Sequence, residues 1–143
     1  MATERYKSKT VNIIQDSWST INTATTGAWV AVRTLNYTPT WNSSTIKCIF
    51  FWTDGVIGAS TNAIGGYRIT DGTNNSEGYH GSGAIATVYT MGQVEILRNN
   101  TNGTAFTVTA YINTGSGGTS SNNINYSQVA TRPSYIRIEE YKN

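Results

Sequence analysis

Apolar residues in this chain recur at every second position, a period that sorts side chains onto the two faces of a strand. Phe106, Val108, Ala110 and Ile112 alternate with Thr107, Thr109 and Tyr111, a half-buried strand of β-branched and aromatic residues. Ile46, Cys48, Phe50 and Trp52 form one face of another run. Ile49 and Phe51 make its second face apolar as well, which predicts a central strand covered on both sides. Val11 and Ile13 set the apolar face of a first strand, around Asn12. Ala28, Val30 and Val32 alternate in the next, and Ile136, Ile138 and Glu140 alternate with Tyr135, Arg137 and Glu139 in the last. Val88 marks one run and Val94 with Ile96 another, divided near Met91-Gly92. Weaker runs lie around Tyr67–Ile69 and Ile124–Val129.

Turn chemistry separates these runs. Thr38-Pro39-Thr40, Asp54-Gly55 and Asp71-Gly72 read as turns, and Arg98 to Thr104 as a hairpin loop closed near Asn102-Gly103. Asp71 to Gly83 and Thr114 to Asn123 read as longer loops rich in Gly, Asn and Ser or Thr. Composition excludes helices from the other side. Of 143 residues, 51 are Thr, Ser or Asn and 14 are Gly, all of which penalise helix or prefer turns and caps. Eight to ten short strands and no helix predict an all-β fold. The expected form is a single-domain antiparallel β-sandwich over residues 1–143, jelly-roll-like, with residues 1–10 as an N-terminal arm. The tryptophans at 18, 29, 41 and 52 are evenly spaced, but their neighbours do not repeat, so the spacing reflects strand length.

Ten Lys and Arg against eight Asp and Glu give a net charge of +2, with no broad basic field for nucleic acid. Arg5, Lys7 and Lys9 cluster in the first nine residues. The single cysteine, Cys48, excludes an internal disulfide and sits in an apolar run, as a buried inert thiol does. The first residues lack the apolar core of a leader, and no stretch has the length of an apolar membrane span, so synthesis in a cytoplasm and no membrane partner are expected.

Catalytic groups are hard to assemble from these residues. His80, the one imidazole, lies in a Gly-rich stretch without a nucleophile elbow. One His and one Cys cannot make a zinc site. Asp71 to Glu77 is rich in oxygen ligands but lacks the Gly and Glu positions of an EF-hand. Glu139 and Glu140 are adjacent on a strand and point to opposite faces, so no facing carboxylate pair emerges for glycoside hydrolysis. Neither enzyme activity nor a cofactor or metal is expected. Four Trp and nine Tyr are ample material for stacking on sugars, although core packing also uses such residues.

Three segments resemble tailed-phage virion proteins, both capsid decoration (cement) proteins and the jelly-roll heads of fibres. They are Gln93 to Arg98, Asn102 to Ile112, and the closing strand Ser134 to Tyr141. No heptad shaft or Gly-x-y repeat accompanies them, so within that group a self-contained decoration protein is the expectation. The resemblance implies a homotrimer on the outer capsid surface of the virion, bridging copies of the major capsid protein, with Arg5, Lys7 and Lys9 as capsid contacts. Its alternative is a tail- or head-fibre receptor-binding module that recognises host glycans, with Asp71, Asn74, Tyr79 and His80 as the contacts.

Overall fold

The computed structural model describes residues 11–25, 27–57, 63–82, 88–114, 122–124 and 132–143. Ten strands and no helix occur among them. They are β1 (Val11–Trp18), β2 (Asn22–Ala24), β3 (Val30–Tyr37), β4 (Ser44–Ile57), β5 (Ala63–Thr70), β6 (Asn75–Ser82), β7 (Val88–Asn100), β8 (Phe106–Thr114), β9 (Asn122–Ile124) and β10 (Ser134–Lys142). Every pairing is antiparallel. Eight long strands divide into two sheets. In sheet A, β1 pairs with β10, β10 with β4, and β4 with β7 on its far side. In sheet B the order is β3-β8-β5-β6. This interleaving of strands between two four-stranded sheets is the jelly roll. The short β2 and β9 pair with each other and extend sheet A beyond Val56 and Ile57 of β4.

The core lies between the sheets. From sheet A it takes Trp18, Ile46, Cys48, Phe50, Trp52, Val94, Ile96, Ile136 and Ile138; from sheet B, Tyr37, Tyr67, Ile69, Val108, Ala110 and Ile112. Each large apolar side chain buried here stabilises by roughly 1.5–3 kcal/mol relative to its exposed state. Trp52 and Tyr67 stack face to face across the layers, 3.9 Å apart at 4°. Cys48 is fully buried, and burial pushes its thiol up to about 12.

Several local expectations differ from what is found. The alternation around β1 is inverted: Val11 and Ile13 face outward at 39% and 50% exposure, while Ile14 and Trp18 pack inward. β1 is an edge strand, and its inner positions Asn12 and Asp16 serve polar links to sheet B rather than the core. Asn12 Nδ2 donates to Tyr37 Oη and Thr40 Oγ1, and Arg33 donates twice to the Asp16 carboxylate. β7 is one strand through Met91-Gly92 and not two, because the irregularity lies opposite, where β4 shifts register between Trp52 and Gly55. Arg98 to Thr104 is not a hairpin. β7 pairs with β4 and β8 with β3 and β5, so this loop arches from one sheet to the other. Asn100 Oδ1 accepts the Asn102 and Gly103 N–H groups there, and Gly103 takes the left-handed φ of 69°. The segment read as a loop after Asp71 is the strand β6. Val30 sits opposite the buried Ile112 but is 37% exposed, because it begins the edge strand β3.

Candidate functional site

The buried carboxylates are structural. Glu140, with no exposure, accepts from Tyr37 Oη (2.7 Å), Ser44 Oγ (2.6 Å), Thr40 N (2.8 Å) and Trp41 N (3.3 Å). Burial alone would raise its pKa; the donors outweigh that and hold it below the ordinary value. Tyr37 is pushed up to about 12 by burial and by this bond. Glu140 and Glu139 do face opposite sides, as strand geometry requires: Glu139 pairs with Arg137 outside the core. Among the described residues no group of three or more His, Cys, Asp or Glu gathers as a metal site would need.

The glycan candidates do not assemble into one site. Asp71 caps the β5–β6 turn: Oδ1 accepts the Thr73 and Asn74 N–H groups, and Oδ2 accepts Asn74 Nδ2 and Arg98 Nη1, the latter from the opposite sheet. Burial works to raise the Asp71 pKa, but these four bonds bring it below its ordinary value. Asn74 is thus occupied with Asp71. His80 points inward, its ring edge against both Trp52 (5.6 Å) and Tyr67 (5.8 Å). Tyr79, its neighbour on β6, points outward and is 53% exposed. Arg5, Lys7 and Lys9 lie outside the described residues.

The surface that sequence reasoning passed over is the outer face of sheet A. β4 is central, with β10 and β7 beside it, but sheet B covers only one of its faces. Ile49 and Phe51 project from the other. Phe51 stacks on Tyr135 of β10 at 4.9 Å and 19°, and Ile49 is closed over by its neighbours to 7% exposure. Around them Ile13, Met91 (67%) and Leu97 (63%) stand in solvent. Two ion pairs, Lys47–Glu95 and Arg137–Glu139, punctuate the face. At one end it sinks into an open groove of about 310 Å³, whose lining includes Gln15, Phe51, Met91, Arg132, Pro133 and Tyr135. The signal was present in the doubly apolar run Ile46–Trp52; what a sequence does not tell is which of two apolar faces lacks a covering layer.

No family model matches the chain, and no curated protein matches it. Among solved structures it is similar to a chain of the T13 particle of infectious bursal disease virus: 14% identity and a TM-score of 0.46, over 92% of this chain and 36% of that one. It is also similar to a chain of T=1 particles derived from infectious bursal virus, at 15% identity and a TM-score of 0.41, over 94% and 36%. A third is a chain of the disulfide-linked pili that are Bacillus endospore appendages, at 10% identity and a TM-score of 0.34, over 99% and 96%. The chain spans a little over a third of the length of the two viral chains. All three TM-scores lie below 0.5, and the functional reading rests on the chain's own surfaces.

Proposed function

We propose that this chain is a structural protein of a virus particle. In its specific form it is a tailed-phage decoration protein that binds the outer capsid surface as a homotrimer, takes the major capsid protein as its partner, and reinforces the head without catalysing a reaction. The observation that carries this reading is the outer face of sheet A. Among the described residues, a central strand with two apolar faces has one covering layer, which leaves apolar side chains and a groove where a second surface would complete the packing. The ion pairs set among them are of the kind that fixes register in a partly wet interface rather than driving a buried core. Residues 1–10, with Arg5, Lys7 and Lys9, lead directly into β1 at the edge of this same sheet. The three cations that precede β1 in sequence and the apolar face are two kinds of contact for a capsid lattice. Three linked copies then multiply modest contacts into firm attachment.

Electron microscopy of the virion tests the location. Density on the capsid exterior is expected, and density at a tail or fibre tip would sink the decoration role. Light scattering on the purified chain tests the trimer. For the arm, deletion of residues 2–9 is expected to abolish binding to undecorated capsids while the fold survives. Unchanged occupancy would remove Arg5, Lys7 and Lys9 from the interface. A second reading, a fibre head that recognises glycans, draws on the exposed Tyr79 beside Glu77 on the other sheet.

A further inference from the structure

We propose that the outer face of sheet B carries a saccharide-binding site built on Trp29 and Tyr79, with neutral sugars as its ligand class. The proposal rests on the glycan-recognition reading and names its site and ligand class; the site uses the sheet opposite the proposed capsid-binding face, so it stands or falls independently of the decoration role.

Its residues come from three strands and the entry to a fourth. Tyr79 projects outward from β6 and Arg68 from β5, while Trp29, just before β3, lies across them. The Trp29 and Tyr79 rings are 6.2 Å apart and tilted at 57°, an open V rather than a closed stack. The Arg68 guanidinium carbon sits 4.1 Å from the centre of the Trp29 ring system. Arg68 Nε donates to Glu77 Oε1 at 2.8 Å, and Tyr79 Oη donates to Glu77 Oε2 at 2.7 Å. The aromatic pair and the charged pair are therefore one connected unit held on rigid strands. Gly66 makes room for it: a Cβ there would come within 3.0 Å of the Trp29 ring and 2.0 Å of Asn113 Oδ1.

Asn113 supplies an independent observation. It is 6% exposed, and among the described residues its buried Oδ1 has no hydrogen-bond donor. Its Nδ2 reaches the Gly27 carbonyl, at 3.5 Å, in the same connector that carries Trp29. An unpartnered buried acceptor is costly to keep. This one lies against Gly66 beside the Trp29 ring and has no surface open to solvent, so a ligand hydroxyl would reach it only with a shift of that ring.

The chemistry selects the ligand. A pyranose presents an apolar C–H face that packs on aromatic rings, and hydroxyls that need donors and acceptors together. Glu77 has accepting capacity beyond its two bonds, and Arg68 has donors beyond its own. Because the carboxylate and guanidinium cancel, the site offers no net charge to a phosphate or an acidic peptide. Neither of the two inward or occupied residues, His80 and Asp71, takes part.

The test uses the full chain on an array of neutral oligosaccharides of the cellulose, starch, mannan and chitin types. The strongest binder is then titrated by tryptophan fluorescence and by NMR. Saturable binding at millimolar affinity or better is expected, with the Trp29 indole N–H among the shifted signals. Tyr79→Ala should weaken it about tenfold or more, close to 1.4 kcal/mol, without lowering the melting temperature, since Tyr79 is exposed. Gln93→Ala, on the outer face of the other sheet, should leave binding intact. The proposal is overturned if no oligosaccharide on the array binds. It is also overturned if Tyr79→Ala and Trp29→Phe both leave affinity unchanged, which would make the aromatic shelf purely structural.

Discussion

Glu140 shows how one residue can organise a turn. Its carboxylate collects donors from the end of β3, from the Thr40-Trp41 backbone and from the start of β4, and so fixes the crossing from sheet B to sheet A. Glu140→Gln preserves shape but turns one acceptor into a donor that faces other donors. It should destabilise by about 3 kcal/mol, read from the urea midpoint, given what hydrogen bonds to a buried charge contribute. The same group predicts a pH dependence. Glu140 and Asp71 both have folded pKa values lowered below their unfolded ones. Their stabilisation is present above the ordinary carboxylate pKa, about 4, and is lost as pH falls through the lowered values. Unfolding free energy measured from neutral pH downward should therefore drop below about pH 4, and the drop should be shallower in Glu140→Gln. A wild-type acid limb that the substitution leaves untouched would remove Glu140 from this role.

At the scale of single strands, β7 is shaped by one side chain, Trp52. Gly92 of β7 lies against its ring, where a Cβ would come to 2.8 Å. On β6, a Cβ at Gly78 would meet Val94 at 3.1 Å, with Trp52 at 3.9 Å, and His80 meets the Trp52 edge. Gly92→Ala is expected to cost about 1–3 kcal/mol through overpacking, visible as a lowered melting temperature with the strand pairing kept. This also explains what could be read in advance. Strands that fill their own half of the core, such as Phe106–Ile112 and Ile136–Glu140, announce themselves by alternation. β6 does not, because its inward positions are Ser76, Gly78 and His80, small or polar residues facing space that Val94 and Trp52 already fill, and its Gly, Asn and Ser imitate a loop. β1 misleads for a different reason: it is an edge strand in which Asn12 and Asp16 share the inner face with Ile14 and Trp18, so the apolar pair Val11 and Ile13 that catches the eye faces outward. The arch after β7 has the turn residues of a hairpin, and only the pairing of β8 with β3 and β5 distinguishes the two. The candidate sites fared similarly. Strand parity, invisible while Asp71 to Gly83 was read as a loop, sends Tyr79 and His80 to opposite faces.

As a whole, the two sheets are tied together by polar links at their margins. Arg33–Asp16 joins β3 to β1 along one side, and Arg98–Asp71 joins β7 to the β5–β6 turn along the other. These two links differ in weight. Arg33 and Asp16 are both partly exposed, so Asp16→Asn should cost no more than about 1 kcal/mol. Asp71 has a fully buried side chain and also caps its turn, so Asp71→Asn should cost clearly more in the same denaturation experiment. Sheet A's outer face carries the remaining prediction. Met91 and Leu97 are the most exposed large apolar residues described, and neither belongs to the core. If they serve only as solvated surface, replacing both by Glu should change little. If the face docks on a capsid, Met91→Glu with Leu97→Glu places two unpaired carboxylates inside the interface, where each must be desolvated. Capsid occupancy, measured by sedimentation with undecorated capsids, should then collapse while the melting temperature stays near that of the parent chain. A chain that keeps both its stability and its occupancy would show that attachment uses some other surface. A chain that loses its stability would show instead that these two side chains hold β7 in the sheet.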